Sequence, residues 1–175
     1  RYGRRLIYGI GITLFAISSI LCGFSENVTE LIYFRALQGI GGAMMIPGSL
    51  AIITVFFDRS ERGKAIGTWS AFSAITTAIG PVLGGWLIDE VSWRWIFFIN
   101  IPIAIIVLVI LFLRVPESKG ELAKCKIDYW GAVLATIGLG GIIYGFIESS
   151  ALGFADPIVF GSLLLGVASL IGFII

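Results

Sequence analysis

The sequence predicts an all-α membrane protein with six transmembrane helices, and three observations carry that expectation. Hydrophobic residues make up 58% of the 175 positions and charged residues only 13%, against about 25% charged in an ordinary soluble domain. The apolar residues lie in long continuous runs, which argues against the short alternating segments of a β-barrel. Basic residues collect on alternate connections between the runs, as bilayer insertion requires. Glycine is abundant at 23 residues, and small residues allow close backbone approach between helices in lipid.

Each of six runs can cross a hydrocarbon layer of about 30 Å at about 1.5 Å per residue. The first, Leu6 to Gly23, follows Arg4 and Arg5 as the apolar core of a signal peptide follows its basic start, but five further runs follow without a cleavage pattern. The second, Leu31 to Phe57, is long enough to tilt or to extend past the bilayer, and it holds Arg35, the one charge inside any run. The third, Ala65 to Ile88, carries Gly80 and Pro81 near its end. Trp95 to Leu113 forms the fourth, Tyr129 to Ile147 the Gly-rich fifth, and Pro157 to Ile175 the sixth. The sequence starts without Met in a basic loop and stops within an apolar run, so an internal segment of something larger is expected.

Orientation follows from the basic residues. Of 12 Lys and Arg residues, all but Arg35 and Arg94 fall at 1–5, 58–64 or 114–128, and these connections are expected to be cytoplasmic. The opposite connections hold Glu26, Glu30, Asp89, Glu90, Glu148 and Asp156. Trp86, Trp93 and Trp95 then lie at the outer interface and Trp130 at the inner one, as anchors. Segment 114–128, with Pro116 and Gly120, reads as a polar surface linker.

Catalysis finds little support. The chain has no His, which removes the usual general base and metal ligand, and no run contains a carboxylate, so neither a catalytic residue, a metal nor a cofactor is expected. Cys22 and Cys125 fall on opposite sides of the membrane and cannot bridge. A net charge of +1 gives no argument for nucleic acid; the expected surroundings are the lipid bilayer.

The chemistry that remains is polar groups in lipid and helix packing. Arg35, Gln38, Gly39 and Gly42 recur at helical spacing and share one face. An intramembrane Arg either turns inward to a partner, with Gln38 completing its hydrogen bonds, or snorkels to a boundary only about four residues away; the residues leave both readings open. On the third helix, Gly80 and Gly84 form a GxxxG groove extended by Ser73, Thr76 and Thr77. Pro81 removes the hydrogen bond to the Thr77 carbonyl and predicts a bend.

These motifs resemble the major facilitator superfamily. Arg1-Tyr-Gly3-Arg4-Arg5 is similar to the end of its signature loop before the third helix. Leu31-Ile-Tyr-Phe-Arg35-Ala-Leu-Gln38-Gly39 resembles its fourth-helix motif, centred on Arg-x-x-Gln-Gly. Gly80-Pro81-Val-Leu-Gly84-Gly85 resembles the fifth-helix motif of its antiporters. Trp93-Arg-Trp-Ile-Phe-Phe-Ile-Asn100-Ile-Pro102 and Ile127-Asp128-Tyr-Trp-Gly131 are similar to the fourteen-helix drug:proton antiporters, the EmrB/QacA group.

The resemblance implies a secondary transporter that exchanges protons for hydrophobic or cationic small molecules by alternating access. A narrower substrate such as a siderophore, lipid or amino acid is the alternative, and a membrane enzyme or static scaffold a remote one. It further implies that 1–113 runs from the loop before helix three through helix six of the N-terminal bundle, that 114–128 is a cytoplasmic linker, and that 129–175 is an inserted helix pair. Arg35, Gln38 and Gly39 would serve proton coupling and the cavity. Thr77, Gly80, Pro81, Gly84 and Gly85 would form the antiporter hinge, and Gly3, Arg4 and Arg5 a cytoplasmic gate loop. The proton-carrying acid is expected outside these residues.

Overall fold

A computed structural model describes residues 3–118 and 128–174, and every regular element among them is a helix. Six helices are long and apolar enough to cross a membrane. The expectations for Lys119, Lys124, Cys125, Lys126, Ile127 and most of the linker lie outside the described residues.

In the unit formed by residues 1–121, α1 spans Arg4–Phe24, α2 Val28–Phe56 and α3 Arg62–Glu90, followed by the short α4, Trp95–Phe98, and α5, Asn100–Arg114. Several helices outrun their apolar stretches, because backbone hydrogen bonding continues where hydropathy stops. α2 starts at Val28 rather than Leu31. Asn27 accepts from the Glu30 amide at 2.8 Å, which satisfies one otherwise orphaned helix donor, and the Glu30 carboxylate accepts from Asn27 Nδ2 at 2.8 Å and from the Glu26 amide at 3.1 Å. α3 begins at Arg62 and ends at Glu90, so the connection before it is shorter than 58–64. Arg4 and Arg5 likewise form the first turn of α1 and are not loop residues. The fourth span runs from Trp95 to Arg114 as expected; Ile99, between α4 and α5, keeps helical angles of φ −60° and ψ −24°, and Pro102 leaves the Phe98 carbonyl without its usual amide donor.

α1 is the centre of this unit. Its buried positions are mostly small: Gly9, Gly11, Ser18, Ser19, Cys22 and Gly23, with Ile12 among them. Ile12 meets Ala104 and Leu111 of α5 in a core flanked by Tyr8, Met45 and Val107. The tightest crossing is on α2. A Cβ built on Gly41 would lie 2.7 Å from the Phe15 nitrogen and 2.9 Å from the Gly11 oxygen. Both are backbone atoms that no side-chain rotation can move, so van der Waals packing here depends on a missing side chain. At the far end Arg94 donates to the Ser25 carbonyl at 3.2 Å and stacks on the Trp93 ring.

The unit formed by residues 122–175 contains α6, Tyr129–Leu152, and α7, Pro157–Ile174. Asp128 caps α6 by accepting from the Gly131 amide at 2.8 Å. α6 ends at Gly153, whose φ of 80° favours glycine. Pro157 opens α7 where its missing N–H costs nothing. A Cβ on Gly141 would sit 2.9 Å from the Ser162 carbonyl, and one on Gly166 2.8 Å from the Ile142 nitrogen. The Gly-rich run is therefore a packing face.

Candidate functional site

Arg35 lies two turns into α2 and is exposed. Its Nη1 donates to Gln38 Oε1 at 2.7 Å, and its guanidinium carbon lies 5.9 Å from the Phe97 ring centre. Gln38 is only 2% exposed and Ser19 fully buried. Gln38 Nε2 donates to Ser19 Oγ at 2.9 Å. Asn100 Nδ2 donates to the same oxygen at 3.0 Å, and the Ser19 hydroxyl donates to the Phe97 carbonyl at 3.0 Å. A chain of hydrogen bonds thus ties α2, α1 and the fourth span together behind one cation. Among the described residues no carboxylate pairs with Arg35; the groups that hold it are neutral.

The face assigned from spacing is rotated in the structure. Gln38 and Gly41 are buried on α2, whereas Gly39 has open space where a side chain would go and Gly42 touches only the Phe15 ring at 3.9 Å. Gly39 is therefore not brought into the polar cluster. Pro47 is a proline inside α2 to which sequence reading assigned no role.

No residue of α3 is buried. A Cβ on Gly80, Gly84 or Gly85 would meet nothing within 4 Å, so the GxxxG groove has no described partner. α3 also runs unbroken through Pro81. Ser73, Thr76 and Thr77 turn their hydroxyls back onto Trp69, Phe72 and Ser73 carbonyls at 2.7–2.9 Å, which satisfies them within the helix as lipid demands. Thr77 also borders a groove of about 850 Å³ between α2 and α3, lined by Phe57, Lys64, Thr68, Trp69 and Phe72. Pro81→Ala is expected to leave insertion intact and slow exchange, and Gly84→Leu to slow it more, measured as substrate flux per inserted molecule; parental flux in Gly84→Leu would mean the groove takes no packed partner.

At the start of α1, Gly3 has no side chain with which to cap the helix. Glu117 supplies the cap from beyond α5. Its two oxygens accept from the Arg5 amide at 3.1 Å and the Leu6 amide at 3.2 Å, where the helix dipole also favours a negative charge. Arg5 Nη1 donates to the Val115 carbonyl at 3.0 Å, and the Arg4 amide to the Ser118 carbonyl at 3.0 Å. Arg5 Nε faces the carboxylate at 3.7 Å without a hydrogen bond. The main-chain cap therefore outweighs this partly exposed ion pair. A Cβ on Gly3 would collide with the Glu117 carboxylate. Glu117→Ala is expected to cost about 0.5–2 kcal/mol, the range of a lost helix cap, read as a lower melting temperature of the purified protein. Gly3→Ala should cost a similar amount, and combining the two should add little; full additivity would show that Gly3 does not act through Glu117.

The chain matches the Major Facilitator Superfamily over residues 1–175. It is 37% identical over 141 residues to the multidrug transporter protein MdtP of Bacillus subtilis, covering 81% of this chain and 26% of that protein. To the multidrug resistance protein Stp of Mycobacterium tuberculosis it is 38% identical over 156 residues, covering 89% and 29%. With the tetracenomycin C resistance and export protein of Streptomyces glaucescens it shares 34% identity over 173 residues, covering 99% and 32%. The chain thus spans between a quarter and a third of the length of these relatives. The matched family, the membrane-spanning helices and the ordered motifs lead to one assignment: the chain belongs to the major facilitator superfamily and is part of a multi-pass membrane protein.

Proposed function

We propose that the chain is part of a proton-coupled exporter of hydrophobic or cationic small molecules in the cell membrane. The observation that carries this reading is Arg35, the one cation in its apolar span, whose guanidinium donates to Gln38 at 2.7 Å. A guanidinium fixed this way favours the charged form of a carboxylate brought beside it, and so favours proton release as the cavity changes sides. Relatives described as multidrug transport and resistance proteins support drugs as the substrate class. The tetracenomycin C exporter favours a second reading, a single physiological compound carried by the same machinery.

In this reading, Arg35 and Gln38 serve coupling, with Gly39 facing the cavity. The α3 motif from Thr77 to Gly85 is the surface on which bundles rock, and residues 1–113 belong to the N-terminal bundle, with 129–175 an inserted pair. The ends carrying 1–5, 58–64 and 114–128 face the cytoplasm. The start of α1, from Gly3 to Arg5, with Glu117 holding it, forms the inner gate. Everted vesicles containing the full-length protein test the function. An imposed inward-acid gradient should drive accumulation of a fluorescent cation, and an uncoupler should collapse it. Accumulation indifferent to the gradient would remove proton coupling.

A further inference from the structure

The hydrogen-bond chain behind Arg35 has a direction, and that direction is set at Ser19. A backbone carbonyl can only accept, so the single hydroxyl proton of Ser19 is committed to Phe97 at 3.0 Å. The remaining partners of Ser19 Oγ must then be donors. Asn100 therefore presents its NH2 group at 3.0 Å and Gln38 its NH2 group at 2.9 Å. With its nitrogen fixed toward Ser19, the Gln38 amide points its oxygen at Arg35, which has donors alone to offer. A flipped amide would set donor against donor at Arg35 and an acceptor against an oxygen whose proton is already given away. Both ends of the amide thus demand one orientation, which settles an assignment that shape cannot.

We propose that Ser19, clamped by Asn100 and the Phe97 carbonyl, is a positioning residue for proton coupling: it fixes the Gln38 amide so that Arg35 has a preoriented acceptor to leave and return to. The inference rests on the coupling role given to Arg35 above. It uses residues on three helices with no charge of their own. Ser19 is fully buried, so bulk water is not at hand to replace its hydroxyl. Both groups that clamp Ser19 lie on one turn of the fourth span, at Phe97 and Asn100. Asn100 also donates to the Ile96 carbonyl one turn back at 3.3 Å, which helps hold its amide in place. When Arg35 exchanges Gln38 for a carboxylate during transport, a Gln38 amide free to rotate would have to be reoriented before Arg35 could return. Pinned by Ser19, it waits with its oxygen outward.

The neighbouring Ser18 provides the control. It is equally buried, but its hydroxyl only donates back to Leu14 within its own helix at 2.8 Å. In proteoliposomes of the full-length transporter, substrate-proton exchange is measured across a range of pH for the parent, Ser19→Ala, Asn100→Ala, Ser18→Ala, Gln38→Leu and the Ser19→Ala/Gln38→Leu pair. Ser19→Ala is expected to lower turnover about tenfold, the worth of one buried hydrogen bond, with KM for the substrate within about twofold. Its pH midpoint should move to lower pH, because an Arg35 released from Gln38 stays longer with the carboxylate and opposes its reprotonation. Asn100→Ala should move the midpoint in the same direction, and serves alone if Ser19→Ala fails to insert. Ser18→Ala should match the parent. The paired variant should be no worse than Gln38→Leu, since Ser19 acts through that amide. A parental midpoint in Ser19→Ala, or losses that add fully in the pair, overturns the positioning role while leaving coupling in place. A parent whose exchange ignores the proton gradient overturns both.

Discussion

Arg35→Ala is expected to abolish proton-coupled export at normal membrane abundance, and Arg35→Lys to restore little of it. An unpaired guanidinium at mid-membrane costs from about 2.5 to above 10 kcal/mol depending on how far it can reach water, so its side chain is held where it can be satisfied. The structure satisfies it through Gln38 at 2.7 Å and the face of Phe97. A lysine keeps the charge but offers a single ammonium in place of a planar fork, so it cannot grip the Gln38 oxygen and a second group in the same plane. An arginine that merely snorkelled would behave otherwise, because lysine snorkels as well. Export by Arg35→Lys at the parental rate would return Arg35 to the role of anchor.

The second large effect is expected at Gly41. Gly41→Leu must push apart the Gly11–Phe15 stretch of α1, whose backbone stands 2.7–3.0 Å from where the new Cβ would be. Overpacking typically costs about 1–3 kcal/mol, and here no rotamer relieves it. α1 and α2 should separate, straining the Gln38–Ser19 bond as well, and the folded protein should melt at a clearly lower temperature and accumulate less. Gly39→Leu, two residues away, enters open space and should accumulate normally. Thermal stability in detergent distinguishes them: equal melting temperatures for the two variants would mean that the α1–α2 crossing does not depend on Gly41.

The contrast between Gly39 and Gly41 shows where the sequence was legible and where it was not. Among the described residues, hydropathy located each of the six helices long and apolar enough to cross a membrane, because lipid requires long apolar runs with internally satisfied backbones. It misjudged ends wherever capping lay in polar residues, as at Asn27 and Glu30. It could not set rotation about a helix axis either. Beyond Arg35 and Gln38, α2 is largely apolar or small on all sides, so periodicity carries little information about which glycine meets a neighbour. Arg35 and Gln38 stood out by polarity, and the structure brings them together. Ser19 was passed over because a hydroxyl can satisfy itself on its own helix, and Asn100 was read only as part of a motif. A signal was nonetheless there, since a neutral amide such as Asn100 in a run of apolar residues needs a hydrogen-bond partner. Glu117 was missed for a different reason. It acts on α1 from more than a hundred residues away, and only an uncapped helix start at Gly3 hinted that an acceptor must come from elsewhere. The α3 motif remains legible only as sequence, because among the described residues nothing packs on Gly80 or Gly84.

The central claim is that Arg35, oriented through Gln38, takes part in exchanging a proton for substrate. The most direct measurement is proton release on substrate binding, followed with a pH-sensitive dye in weakly buffered detergent solution of the purified full-length protein. The parent should release protons in proportion to substrate bound, and Arg35→Lys should bind substrate while releasing far fewer. Substrate binding with no proton release by the parent, or equal release by Arg35→Lys, would contradict the account.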